Sequence, residues 1–183
     1  MKRDDAQRFI DHLLRLKEQD RGALAALRHS LAFAPGDDPK AFPYVERFVG
    51  RDWHSADARR LALYAVAGLF AAHPVVHDRS LPAALGKLLR DKDRPSLELR
   101  FRALLEADAD GLMPHLRQSV SLLSVDGLGY DHAGLLADLA VWLDERSDPA
   151  WRDDVKRRWA RAFYGALQAD DAVDATTTPT TAP

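Results

Sequence analysis

Cysteine is absent from this 183-residue chain, which removes disulfides, thiolate metal sites and cysteine nucleophiles together. No apolar run approaches the roughly 18 residues that span a bilayer. Met1-Lys2-Arg3-Asp4-Asp5 opens on charge rather than on an apolar leader core, so no secretory leader and a reducing, cytoplasmic address are expected. The patterns G-x-x-x-x-G-K, G-x-G-x-x-G, G-x-S-x-G and H-E-x-x-H are all missing, and with them the commonest phosphate cradles, the nucleophile elbow and the helical zinc motif. A dominant charge sign is missing too, since 26 Lys and Arg face 28 Asp and Glu for a net charge of −2. The protein is not a bulk polycation.

What the chain has is an ordinary globular balance, 46% hydrophobic and 30% charged residues, enough for one domain or two small ones with a hydrophobic core. The apolar residues recur at the helical period and nowhere alternate over a strand length. Phe9, Ile10, Leu13, Leu14 and Leu16 form a first stripe behind Asp4 and Asp5. Asp20 caps a second helix carrying Leu24, Leu27 and Leu31, which ends at Pro35-Gly36-Asp37-Asp38-Pro39. Phe42-Pro43 opens a short helix, Ser55 caps a long apolar one to about Ala72, and Ser80 with Pro82 starts another to about Arg90. The charged run Asp91-Lys92-Asp93-Arg94-Pro95 reads as a linker. Beyond it Ser96, Asp110, Asp131 and Asp148 start further helices, the last with Trp151, Val155, Trp159 and Phe163 facing in. From about Ala169 the chain turns acidic and then Thr/Pro/Ala-rich, a composition expected to be disordered. The expectation is an all-α fold of about nine helices in two small helical bundles, 1–93 and 94–168, with a disordered tail over 169–183.

The near-neutral total hides an asymmetry: residues 1–97 hold 17 bases and 13 acids, residues 98–168 hold 9 bases and 12 acids. Twenty of the bases are arginine, whose planar fork suits bidentate phosphate contacts. A nucleic-acid role therefore needs a focused face. Arginines with an acid three or four residues away on one helix read as local pairs worth a few tenths of a kcal/mol. Arg60 with Asp57, Arg102 with Glu98 and Glu106, Arg157 with Asp153, and Arg158 with Asp154 are of this kind. Arg28, Arg59, Arg100 and Arg117 have no acid at those spacings and sit at the shoulders of apolar faces. Each needs a counter-charge from the tertiary structure or from a ligand, and four on four helices point to a shared anionic partner. Arg161 repels Arg157, one turn away, unless something negative lies between them. With the loop residues Arg51 and Arg94, the candidate nucleic-acid-binding set is Arg28, Arg51, Arg59, Arg94, Arg100, Arg117, Arg157 and Arg161.

Enzymatic readings find less support. His73 and His77 stand at the spacing of two ligands on a helix, but Pro74 disfavours helix at His73, so the two read as surface histidines in a turn. His77-Asp78 is the dipeptide of metal-dependent HD phosphohydrolases, yet here it falls in a loop rather than on a helix. Asp131-His132 reads as a cap and its neighbour, and Asp153 and Asp154 as first-turn partners of the helix dipole. No metal, cofactor or catalytic residue is assigned.

Four stretches carry a family resemblance: Gly22-Ala-Leu-Ala-Ala-Leu-Arg28-His-Ser-Leu31, Ser96-Leu-Glu-Leu-Arg100-Phe-Arg102-Ala-Leu-Leu-Glu-Ala-Asp108, Leu112-Met-Pro-His-Leu-Arg117-Gln-Ser-Val-Ser-Leu-Leu123, and Arg157-Arg158-Trp159-Ala-Arg161-Ala-Phe-Tyr-Gly165. With the Ala/Leu-rich stretch from Trp53 to Pro74, they resemble CasB, the small-subunit family of the type I-E CRISPR Cascade surveillance complex. The resemblance covers about residues 1–168 and implies a non-catalytic helical subunit. Its implied partners are other Cascade subunits with guide RNA, target and displaced DNA strands, and a second copy of itself. It carries over Arg28, Arg100 and Arg117 as phosphate contacts, with Arg102 ranked below them. His29 departs from it, standing where the family often has a second arginine, so that contact is expected to be weaker or pH-sensitive. Alanine at Arg28, Arg100 and Arg117 is expected to leave folding intact. The alternatives are a helical protein-interaction scaffold, whose arginines meet acidic patches on partners, and an HD-like metal hydrolase.

Overall fold

The structure, a computed structural model, describes residues 1–92 and 94–168. The expected disordered tail and Asp93 of the expected linker lie outside the described residues. Nine α-helices run among the described residues: α1 (Arg3–Gln19), α2 (Arg21–His29), α3 (Phe42–Val45), α4 (Ala58–Ala72), α5 (Leu81–Lys92), α6 (Pro95–Glu106), α7 (Leu112–Val125), α8 (His132–Trp142) and α9 (Pro149–Leu167). The 3₁₀ turns Ser30–Ala32, Pro39–Ala41 and Glu46–Phe48 extend or join the early helices. The all-α reading holds; the described residues form no strand, only an isolated parallel bridge between Val76 and Tyr130.

Carboxylates start four of the eight α-helices whose N-caps are described, by accepting a backbone N–H that the helix itself leaves unpaired. Asp20 accepts from Ala23, Asp131 from Gly134 and Asp148 from Ala150, at 2.8–2.9 Å. The long apolar helix is capped by Asp57, which accepts from Arg59 N–H at 2.9 Å, not by Ser55, so it begins two residues later than expected. At α6, Pro95 occupies the first turn behind Arg94, and Ser96 is no cap. Helix α5 continues through Lys92, which shortens the connection read at 91–95.

Helix α4 is the axis of the molecule. Every residue from Ala62 to Ala71 is buried, the signature of a helix covered on all sides. It packs against α8, α2 and α7, while α5 lies along α9. Two glycines permit these approaches. A Cβ at Gly86 would collide with the Phe163 carbonyl of α9, and one at Gly68 would stand 2.7 Å from Leu31 Cδ2. Phe101 of α6 stacks on Phe163 with centroids 4.0 Å apart. Trp142 meets Trp159 edge-on at 5.1 Å, and the Trp159 indole donates to Asp138 at 2.6 Å.

Two expectations about the interior are corrected. Trp151 does not face in; it is 62% exposed, because at the start of α9 no neighbouring element covers it. His73 is not a surface histidine but is 3% exposed. At the end of α4 it turns inward, where its Nε2 donates to the Leu128 carbonyl at 2.8 Å. His132, read as a cap's neighbour, is fully buried against Phe70 and Tyr130.

Candidate nucleic-acid interface

Arg28 lies in the last turn of α2. Its Nε and Nη2 donate to the Ala71 carbonyl at 3.0 and 2.7 Å, at the end of α4, where helical carbonyls lack intrahelical partners. Arg117 of α7 uses Nη1 on the Leu31 carbonyl, in the 3₁₀ turn that follows α2. Leu31 itself packs over Gly68 of α4. The two arginines therefore converge on the seam where α2, α4 and α7 meet. Neither has a carboxylate partner among the described residues. A carbonyl supplies only the partial charge of a dipole, so each guanidinium keeps nearly its full positive charge.

Arg100, Arg51 and Arg161 are exposed and have no hydrogen bond or ion pair among the described residues. Arg100 lies on α6, which packs against α7. Being two residues from Arg102, it occupies the opposite flank of that helix. Arg51 stands before α4 and Arg161 on α9.

The remaining candidates have acids, two of them for reasons that spacing along a helix does not reveal. Arg59 is gripped by Asp57 at 2.7 and 3.0 Å and lies over the Trp53 ring, 4.2 Å from its centroid. The capping carboxylate folds back on a base two residues away, a spacing outside the three-or-four rule. This guanidinium holds the Asp57 carboxyl below the usual range. Arg94 meets Asp126 from the end of α7 at 3.4 Å. Arg157 pairs with Asp154 at 3.7 Å rather than with Asp153. Among the arginines read as locally paired, Arg102 bonds Glu98 at 2.6 Å as expected. Arg60 instead reaches Glu46 at 2.8 Å, and Arg158 adds Asp138 at 2.9 Å to Asp154. Nor do all eight candidates form one tight cluster: Arg59 and Ala71 lie at opposite ends of α4, about 18 Å apart at 1.5 Å per residue.

One partner had no signal in the sequence. His29 Nδ1 donates to Asp38 Oδ2 at 2.9 Å, from a half-exposed imidazole to a carboxylate only 5% exposed. The bond to His29, aided by the Lys40 N–H, holds Asp38 below the usual carboxylate range against the opposing cost of burial. His77 is exposed on Asp78 while His73 points inward, so the two do not face a common ligand. Among the described residues no group of three or more His, Asp or Glu side chains is placed to hold a metal ion.

Two grooves adjoin Arg117. The larger, about 1250 Å³, runs between the starts of α4, α7 and α9 and the end of α8; Asp37, Asp57, Asp110, Asp144 and Glu145 line it alongside Arg59, Arg60 and Arg146. The smaller, about 350 Å³, lies over the α2–α4–α7 seam and has no acidic lining.

The family model described as CRISPR-associated protein Cse2 matches residues 23–164. The chain belongs to the Cse2 family. A Cse2 protein of Thermus thermophilus is 44% identical over 170 residues, spanning 90% of this chain and 93% of that protein. The crystal structure of CasB from Thermus thermophilus superposes with a TM-score of 0.74 at 42% identity, covering 87% of this chain and 97% of that one. A chain of a CRISPR RNA-guided surveillance complex gives a TM-score of 0.77 at 26% identity, covering 91% and 95%. The family resemblance of the sequence is thereby met. The matched span of this Cse2 chain contains Arg28, Arg100 and Arg117 together with both grooves' α7 wall.

Proposed function

We propose that this Cse2 chain is a non-catalytic subunit of a Cascade-type CRISPR surveillance complex, where it grips nucleic-acid backbone and stabilises the R-loop between guide RNA and target DNA. The observation that carries the reading is the pair Arg28 and Arg117, converging on one seam and bonded to carbonyls rather than carboxylates. Arg100, exposed on the neighbouring helix, joins them as a third phosphate contact. Arg51 and Arg161 rank next, being exposed and without an ion pair among the described residues. Arg59, Arg94 and Arg157 contribute less, because each already has an acid.

The energetics suit such a role. Exchanging a DNA duplex for an RNA–DNA hybrid is nearly balanced in free energy, so modest backbone contacts tip it. Guanidinium groups that hold phosphate without reading base edges add no sequence preference of their own. A net charge of −2 keeps binding outside the assembly weak. Its partners are then the other subunits with guide RNA, the target and displaced DNA strands, and a second copy of itself. The likeness to a chain of a surveillance complex supports this assignment.

Fluorescence anisotropy with labelled single-stranded and duplex DNA tests it. The Arg28→Ala/Arg100→Ala/Arg117→Ala protein should bind every sequence more weakly, by a similar factor, and with a shallower salt dependence. An unchanged salt slope overturns the reading. It would favour a scaffold without nucleic-acid contact, for which the mixed charges of the larger groove and its exposed Trp151 and Phe33 are the supporting observation.

A further inference from the structure

We propose that the smaller groove along α7 seats one unstacked nucleotide of a single strand, its phosphate on Arg117 and its base on the apolar floor. The proposal rests on the nucleic-acid reading above and names the form in which the polymer is bound. Leu31, Leu69 and Val120 make the floor; Arg117, Ser121 and Ser124 make the rim. Those three rim residues stand at i, i+4 and i+7 of one helix, so they form a single stripe. Ser121 and Ser124 are exposed, and neither hydroxyl has a hydrogen-bond partner among the described residues.

Charge chooses between the two grooves. A polyanion entering the larger one meets five carboxylates set among Arg59, Arg60, Arg117 and Arg146, two of these arginines already paired with acids; in the smaller one it meets Arg117 and no carboxylate. Size then limits the occupant. About 350 Å³ lies at the lower end of small-ligand sites, which admits a nucleoside and excludes a double helix. A duplex keeps its bases stacked inside and could offer this groove only phosphate, leaving the apolar floor unused. Serine hydroxyls both donate and accept, so they can satisfy any base or sugar edge without selecting one. Arg117 spends one of a guanidinium's five donors on Leu31. That bond holds the side chain in place, which lowers the ordering cost of phosphate capture.

The full chain is titrated by anisotropy with three labelled probes: an oligothymidylate, the same backbone carrying abasic sites, and a duplex. The wild type should bind the oligothymidylate about fivefold or more tighter than the abasic probe, the effect of burying one base. Ser121→Leu/Ser124→Leu, which fills the groove from exposed positions, should abolish that preference. Arg117→Ala should weaken all three. Equal binding of the two single strands by the wild type overturns the inference, as does a groove-filled protein that keeps the preference; binding to duplex would then leave the broader reading standing. Failure of the wild type to bind any probe overturns that broader reading and this inference together.

Discussion

Arg28 and Arg100 are chemically identical and both are proposed to contact phosphate, yet the structure makes their alanine variants differ. Each loses one positive contact. For a duplex ligand the slope of log K against log salt should shrink by about 0.9 per lost contact, and by about 0.7 for a single strand. Arg28 does a second job, holding the open end of α4 through two donors on Ala71 at 2.7 and 3.0 Å. Arg100 holds nothing among the described residues. A net hydrogen bond contributes about 0.5–1.5 kcal/mol, and one from a charged donor about 1.5–3 kcal/mol. The exposure of Arg28 argues for a loss of about 1–1.5 kcal/mol. For a chain of this size that lowers Tm by about 2–6 °C. Thermal unfolding followed at 222 nm, with anisotropy on the same samples, should show Arg28→Ala and Arg117→Ala melting earlier than wild type. Arg100→Ala should melt with wild type while losing the same salt slope. Equal melting temperatures for Arg28→Ala and Arg100→Ala would refute the capping argument. The structure thus amends the expectation that all three alanine variants fold undisturbed.

Three further outcomes follow from other parts of the molecule. His132, pushed down to about 4 by burial, is neutral in the fold, whereas the unfolded chain takes up a proton below about pH 6.5. Its contribution is therefore intact above that pH and falls by about 3 kcal/mol as pH drops toward 4; urea midpoints at pH 7, 6 and 5 should decline, and less so in His132→Gln. An identical decline in that variant removes His132 as the cause. Gly86→Ala should destabilise by about 1–3 kcal/mol, because its Cβ meets the Phe163 carbonyl and overpacking outweighs the gain in helix propensity. Gly165→Ala, with nothing within 4 Å of the new Cβ, should instead stabilise α9 by about 0.5–1 kcal/mol; matching urea midpoints for the two variants would contradict the packing account.

Helix identity was readable because caps and periodicity are local. Asp20, Asp131 and Asp148 each bond a backbone N–H two or three residues on, and the inward positions Phe9, Ile10 and Leu13 of α1 and Val155, Trp159 and Phe163 of α9 follow from spacing alone. Trp151 was misplaced because periodicity says which face a residue occupies, not whether a neighbour reaches that turn. The three-or-four spacing rule for arginines misses at Arg59 for a related reason: Asp57 acts from a cap two residues off. Asp126, Glu46 and Asp138, which reach Arg94, Arg60 and Arg158, arrive from other segments, where spacing along one helix says nothing. The carbonyl partners of Arg28 and Arg117 were equally invisible, since they depend on which helix ends meet in space.

The distinction between those two kinds of partner decides what the arginines can do. A carboxylate cancels a guanidinium, and a phosphate must then displace the acid to bind. A helix-end carbonyl carries roughly half a charge shared over the last turn, so it aims the guanidinium without cancelling it. Arg28 at the end of α4 and Arg117 beyond the end of α2 are anchored in this second way, and donors remain on each for an incoming oxygen. Such a contact is rigid, positive and indifferent to base identity. It is weak singly and additive across a surface, which is the behaviour that the proposed role, steadying a strand whose sequence is read elsewhere by base pairing, requires.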